Sequence, residues 1–314
     1  MKIACIGNAV LDHYFSGTSN LIIDERVNFD KSYQNIGGPA STAASVIARF
    51  GGEVDFYGRV GNDMFGKMVY QKMEDEKINL SHLVVSNDID TPCSCVIVNR
   101  DTKTRTIAIY RSKAEYNNPY IGFNNLESDY DYILTDGKYV EDTIELIKKN
   151  PQAVTVIDAG RINTGVLKLC NIVDYIICSN NFANGVTQME ITDDYDSNVI
   201  LFNRMKQIFK NAKGIAITIG GNGYICEKNN EVVINPCYNS GLPVVDTNGA
   251  GDIFHGAFTY AIANNYEYHD ALEFANTTAS LSVTKEGGRD SCPNLYEVEE
   301  VLNKKNYQYV KKIG

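Results

Sequence analysis

Two kinds of hydrophobic pattern alternate along the chain. Short apolar runs with strand character (KIACIG, EVDFYGRV, DYILTDG, AVTVIDAG, VDYIICSN, GIAITIGG) are separated by stretches whose apolar residues recur every three or four positions. PASTAASVIARF, FGKMVYQKMEDE, EDTIELIKKN and NVILFNRMKQIFKNA are of this second kind. Such alternation predicts βαβ units, an α/β fold with a mostly parallel central sheet flanked by helices. Two segments break the pattern: residues 12–35 and 90–112, which include TPCSCVIVNR and TRTIAIYRS, read as strands with turn residues and no helix between them. They predict a small β-sheet inserted in one domain spanning 1–314, a lid and a candidate dimer surface. The last helix candidate, DIFHGAFTYAIANN, carries Ile253, Phe254, Ala257, Phe258, Ala261 and Ile262 at helical spacing. It must therefore be packed, with its N-terminus at Gly249 to Asp252.

Charge and composition narrow the classes of function. With 314 residues, 44% of them hydrophobic, the chain can bury a large core. Lys and Arg number 29 against 39 Asp and Glu, a net charge of −10. No global field attracts nucleic acid or anionic lipid, so the expected partner is a small molecule. MKIACIGNAVLDHYF holds too short an apolar run for a signal peptide, and nowhere do 18 uncharged apolar residues run together; a cytoplasmic protein is expected. The eight cysteines are scattered, the closest pair being Cys93 and Cys95, and read as reduced thiols. His13, His82, His255 and His269 form no zinc-binding spacing.

The stretch that carries chemistry is VVDTNGAGDIFHGAF, Val244 to Phe258. An Asp stands on each side of a glycine-rich turn that opens a helix. A helix N-terminus exposes unpaired N–H groups and a partial positive charge, which favour an anion, and the small residues Gly249, Ala250 and Gly251 let it approach. Spacing alone leaves two readings of Asp252. It is a first-turn charge that stabilises the helix, or a general base that takes a proton from a hydroxyl while the N–H groups hold a transferring phosphoryl group.

This stretch resembles the C-terminal signature of the ribokinase-like, or PfkB, family of carbohydrate kinases. IGGPASTAASVIARFGGEVDFYGRVGNDMFG, residues 36–66, resembles the family's N-terminal signature. IGNAVLDHY, TIGGNGYI (218–225) and ANTTASLSVTKEGGRDSCP (275–293) fall in the family's order, so the resemblance spans essentially the whole chain. It implies a ribokinase-like fold and an ATP-dependent phosphotransferase that phosphorylates a hydroxyl of a sugar or sugar-like molecule. A nucleoside kinase of the same family, and a catalytically weak sugar- or nucleoside-binding relative, are the alternatives.

By the same resemblance Asp252 matches the catalytic base, and Gly249, Ala250 and Gly251 the anion hole for the γ-phosphate. Asp12 matches a carboxylate that orients substrate hydroxyls, and Gly37 and Gly38 the turn over which the sugar lies. Arg105 matches a lid arginine that reaches substrate or phosphate, although an exposed strand arginine is equally its plain reading. Thr218, Gly220 and Gly223 match the stretch beside the nucleotide phosphates and ribose, and Asn276 the segment lining the adenine. Magnesium is expected to accompany ATP through phosphate oxygens and water. A monovalent cation such as potassium has matching places at Asp246, Asn248, Gly287 and Ser291.

The chain also departs from the family. Where many relatives have N-x-x-E it reads Asn180, Asn181, Phe182, Ala183, without the Glu. Pro39 and Thr42 stand where substrate-contacting Asn residues are frequent, so the pocket differs from that of fructose- and ribose-type members. GNDMFGKM nearly spells a P-loop, but Met68 cannot ligate magnesium. No G-x-G-x-x-G opens a helix after the first strand, which argues against a dinucleotide fold.

Overall fold

The computed structural model describes residues 1–102, 104–114, 120–123 and 126–304. Position 103 of the second lid segment and residues 305–314 of the expected domain lie outside the described residues. The six predicted strands lie in one large sheet, together with three that the hydrophobic pattern does not mark, Leu83–Ser86, Tyr224–Lys228 and Glu231–Asn235. In chain order these are β1 (Lys2–Ile6), β4 (Glu53–Gly61), β5 (Leu83–Ser86), β8 (Tyr132–Thr135), β9 (Val154–Ala159), β10 (Tyr175–Ser179), β11 (Gly214–Thr218), β12 (Tyr224–Lys228) and β13 (Glu231–Asn235). Their order is β13-β12-β11-β10-β9-β8-β1-β4-β5, parallel from β11 to β5 and antiparallel at the β11–β12–β13 edge. The hairpin joining β12 to β13 turns at Asn229 and Asn230, both with positive φ, the conformation that Asn tolerates best after Gly.

The connectivity reverses between β1 and β8. The chain first builds outward through β4 and β5, then returns to lay β8 to β11 on the other side of β1. In such sheets the crevice beyond the carboxyl ends of the strands at the reversal is where ligands bind. The second, four-stranded sheet has the order β3-β2-β6-β7, from β2 (Val10–Gly17), β3 (Lys31–Gly37), β6 (Cys93–Asn99) and β7 (Thr104–Tyr110). Its strands overlap the segments 12–35 and 90–112, with β2 starting two residues before the first segment and β3 ending two residues after it.

Helix α1 (Pro39–Arg49) begins with proline after Gly38, and its Ala40, Ser41, Ala43 and Ala44 are all fully buried. These small residues let α1 cross α7 (Ala250–Ala263) closely. A Cβ on Gly256 of α7 would meet the Ala43 carbonyl oxygen at 2.7 Å. The six apolar residues expected to pack α7 are all buried, together with Gly256, Thr259 and His255. α7 is not the last helix: α8 (Tyr268–Ser282) and α9 (Leu295–Asn303) follow. The polar run NTTASLS hides the second half of α8 from hydrophobic periodicity, because the buried face begins with Ala271, Leu272, Phe274 and Ala275 but continues as Asn276, Thr277, Thr278, Ser280 and Ser282. All eight cysteines are free. Among the described residues no helix is long and apolar enough to cross a membrane.

Candidate active site

The carboxyl ends of β1, β8 and β9 converge on the amino end of α7. Gly7 and Asn8 follow β1, Asp136 follows β8, and Asp158 is the penultimate residue of β9. Gly249, the residue before α7, has φ +72, and no side chain caps the helix. Beyond the Cα of Gly251 a Cβ would meet nothing within 4 Å, so the first turn opens onto free space. Uncapped N–H groups facing space are what an anion needs.

Asp252 is half-buried on that first turn. Burial pushes its carboxyl well above the usual carboxylate range, and the carboxylates of Asp158, Asp136 and Asp12 add to the push while His255 opposes it. Asp158 is raised by burial and then by Asp136. Asp136 is raised by burial, against hydrogen bonds from the Asn8 N–H (2.7 Å) and the Lys138 N–H (3.0 Å). Four carboxyls thus share one crevice, and each favours holding a proton more than it would in water. Sequence reasoning found two of them. Asp136 in LTDG and Asp158 in VIDAG look like strand-end turn residues, and only the strand order brings them to Asp252.

Asp12 sits on β2, where its Oδ1 accepts from Ser94 Oγ at 2.5 Å across the β2–β6 pairing. Burial raises it to about 6, with the Ser94 hydrogen bond and the Arg289 charge acting in the other direction. It lies directly over the glycine pair. A Cβ on Gly37 would fall 2.0 Å from Asp12 Oδ2, and one on Gly38, at φ +99, would fall 2.5 Å from the Asn8 carbonyl oxygen. Thr42 is buried on the first turn of α1.

Thr218, Gly220 and Gly223 from one stretch and Asn276 from another line a single cavity of about 490 Å³ with Ala250 and Gly251. Arg105 lines it from the lid and donates from Nη1 to Thr247 Oγ1 at 2.6 Å. Three further contacts seat the lid: Lys31 Nζ on Glu286 at 2.8 Å, Asn35 Nδ2 on the Gly287 carbonyl at 2.8 Å, and Asn248 Nδ2 on the Tyr14 hydroxyl. Tyr14 is buried and stacks on Tyr33, with ring centroids 4.6 Å apart. Tyr14 closes the IGNAVLDHY stretch, from which sequence reasoning singled out Asp12 but not this tyrosine.

Asp246 is buried and accepts from the Asn248, Gly287 and Gly288 N–H groups, while Ser291 Oγ donates to the Gly288 carbonyl. The structure therefore gathers Asp246, Asn248, Gly287 and Ser291 in one place. This oxygen-rich set, with a buried carboxylate, fits a hard monovalent cation. Phe182 and Ala183, at the place of the absent Glu, are fully buried on α5 (Asn180–Thr187). Elsewhere, ligand atoms of Asp55, His82 and Glu127 lie within 4.8 Å of one another, and the Lys2 ammonium pairs with both carboxylates and offsets part of their charge.

The match to known families accords with this geometry. Residues 1–295 match the model described as "pfkB family carbohydrate kinase". The chain belongs to the pfkB family of carbohydrate kinases. Among family relatives, it is 24% identical over 286 residues to the ribokinase of Dictyostelium discoideum, covering 83% of this chain and 88% of that protein. To the ribokinase of Haemophilus influenzae it is 23% identical over 313 residues, covering 96% and 98%. Its fold is similar to that of Arabidopsis thaliana ribokinase complexed with ribose and ATP, with a TM-score of 0.81 at 21% identity, covering 98% of this chain and 99% of that one. It is also similar to the nucleoside kinase of Methanocaldococcus jannaschii, with a TM-score of 0.77 at 19% identity, covering 96% and 98%. The ribokinase-like fold and its lid are thus shared with this pfkB chain.

Proposed function

We propose that this carbohydrate kinase transfers the γ-phosphoryl group of ATP to a hydroxyl of a sugar or sugar-like small molecule. The observation that carries the reading is the half-buried Asp252 carboxyl, raised in pKa, beside an uncapped helix N-terminus that opens into the cavity lined by Thr218, Gly220, Gly223 and Asn276.

ATP lies in that cavity with its γ-phosphate toward the N–H groups of Gly249, Ala250 and Gly251. Asp12 accepts hydrogen bonds from substrate hydroxyls above Gly37 and Gly38, and Thr42 closes the floor. Asp252 removes the proton from the attacking hydroxyl, the new O–P bond forms, and ADP leaves with the electron pair of the broken bond. A base with a raised pKa suits this role, because proton transfer is most efficient when the base titrates near working pH. Arg105 balances charge from the lid. Magnesium reaches the site on the phosphate oxygens of ATP, so the buried Phe182–Ala183 pair is not required to bind it.

A potassium-type cation at Asp246, Asn248, Gly287 and Ser291 would draw electron density from the peptides that open α7. Replacing potassium by choline in the assay tests that part. All seven residues of β7 are exposed along the edge of the lid sheet, which suits pairing with a second copy. Sedimentation as a monomer at micromolar concentration would remove the dimer. ADP release measured over a panel of sugars and nucleosides identifies the acceptor class, and acceptance of nucleosides alone would reassign it.

A further inference from the structure

His255 is almost fully buried, one turn beyond Asp252 on α7, and the phosphoryl-transfer reading gives it no task. Its ring meets oxygen on both sides. Nδ1 lies 2.6 Å from the Gly251 carbonyl and 3.3 Å from Asp158 Oδ2, while Nε2 lies 3.2 Å from the Ile177 carbonyl on β10. A backbone carbonyl can only accept a hydrogen bond. A neutral imidazole has one N–H, so it would leave a ring lone pair facing a carbonyl oxygen in a dry site. The imidazolium donates to both carbonyls at once, and Asp158, itself buried, stands beside it as the counter-ion when ionised.

We propose that His255 is a positioning residue held as an imidazolium by Gly251, Ile177 and Asp158, and that its charge keeps the Asp252 carboxyl ionised while its Nδ1–H fixes the Gly251 peptide of the anion hole. This rests on the role given above to Asp252. The charged groups that bear on the ring and its partners are Asp252 on the same helix, Asp158 on β9, Asp136 after β8 and Asp12 on the lid. Burial outweighs Asp252 and the two carbonyls and lowers the ring's pKa below that of a free imidazole, so the case for the imidazolium stands on the two carbonyl contacts and on Asp158 beside Nδ1. Asp158 Oδ2 at 3.3 Å is the counter-ion the proposal assigns to it, since a buried cation requires one.

The test is NMR on the full chain without substrate, with labelled histidine and aspartate assigned by the His255→Gln and Asp252→Asn variants. The proposal expects both His255 ring nitrogens protonated at pH 7, and deprotonation at lower pH once Asp158→Asn removes the counter-ion. It also expects the Asp252 carboxyl to titrate at least about one pH unit higher in His255→Gln, the size of a nearby buried charge. A neutral His255 ring at pH 7, or an Asp252 titration unmoved by His255→Gln, overturns the proposal. Neither readout depends on turnover, so a failure of the kinase reading appears separately, as equal ADP release by wild type and Asp252→Asn.

Discussion

Arg105 on the lid donates to the Thr247 hydroxyl at 2.6 Å, although 142 positions of chain separate them. The contact places a guanidinium at the rim of the nucleotide cavity, one residue before the DTNGAGD turn reaches Asn248. Removing it should weaken nucleotide and substrate binding without weakening the core. Arg105→Ala is expected to raise KM for ATP by roughly tenfold, the scale of one charged hydrogen bond, with Tm nearly unchanged. Steady-state kinetics beside a thermal melt checks both halves.

The carboxyl cluster sets a pH dependence for turnover. Asp252 must be ionised to accept a proton, and burial with three neighbouring carboxylates raises its pKa. As pH falls through that raised value the base is lost. The acid limb of kcat should therefore lie well above the ordinary Asp value of about 3.9. A pH–rate profile at saturating ATP and substrate measures it, and a limb in the ordinary carboxylate range would contradict the account.

The same groups oppose stability in the free protein. Asp12 is raised to about 6 in the folded state. A carboxyl whose folded pKa is raised contributes stability that is full below its unfolded pKa and lost as pH rises through the folded one. The window for Asp12 is about pH 4 to 6. Asp12→Asn should consequently stabilise the ligand-free protein at pH 7.5, by on the order of 1–2 kcal/mol, and leave it unchanged near pH 4. The same variant should raise KM for the acceptor. Thermal melts at the two pH values, with acceptor kinetics, separate this from a structural role.

Gly256 allows α1 and α7 to meet, since a Cβ there would press on the Ala43 carbonyl at 2.7 Å. Gly256→Ala is expected to destabilise the protein by about 1–3 kcal/mol through overpacking, despite alanine's better helix propensity. Denaturant unfolding of the variant reads this directly.

What the sequence disclosed follows from how local the signals are. The αβ alternation, the lid strands and the Gly249–Asp252 turn are contiguous patterns, and the structure places them as read. Thr218, Gly220, Gly223 and Asn276 were found through resemblance, and they line one cavity. Asp136 and Asp158 were missed because nothing near them in the chain differs from an ordinary strand or turn, and Tyr14 because, although it closes the IGNAVLDHY stretch, its own pattern is that of a strand. Their place in the site comes from the strand order and from the lid's fold over the DTNGAGD turn. α8 was missed for a different reason: past Ala275 its buried face is small and polar, so the apolar pattern begun by Leu272 and Phe274 stops after one turn. The two aspartates flanking the glycine turn, superficially a pair, are separate. Asp246 is held by the Gly287–Gly288 backbone, and Asp252 faces the crevice carboxyls.

The central claim is that Asp252 takes the proton from an acceptor hydroxyl at the helix N-terminus. ADP release by wild type and Asp252→Asn, measured side by side across sugars and nucleosides with nucleotide affinity followed by titration, tests it most directly. The account predicts that at least one acceptor is phosphorylated, that the variant loses on the order of 10²- to 10⁴-fold in rate, and that its affinity for ATP is largely kept. Equal rates for the two proteins with an acceptor that wild type phosphorylates would contradict it.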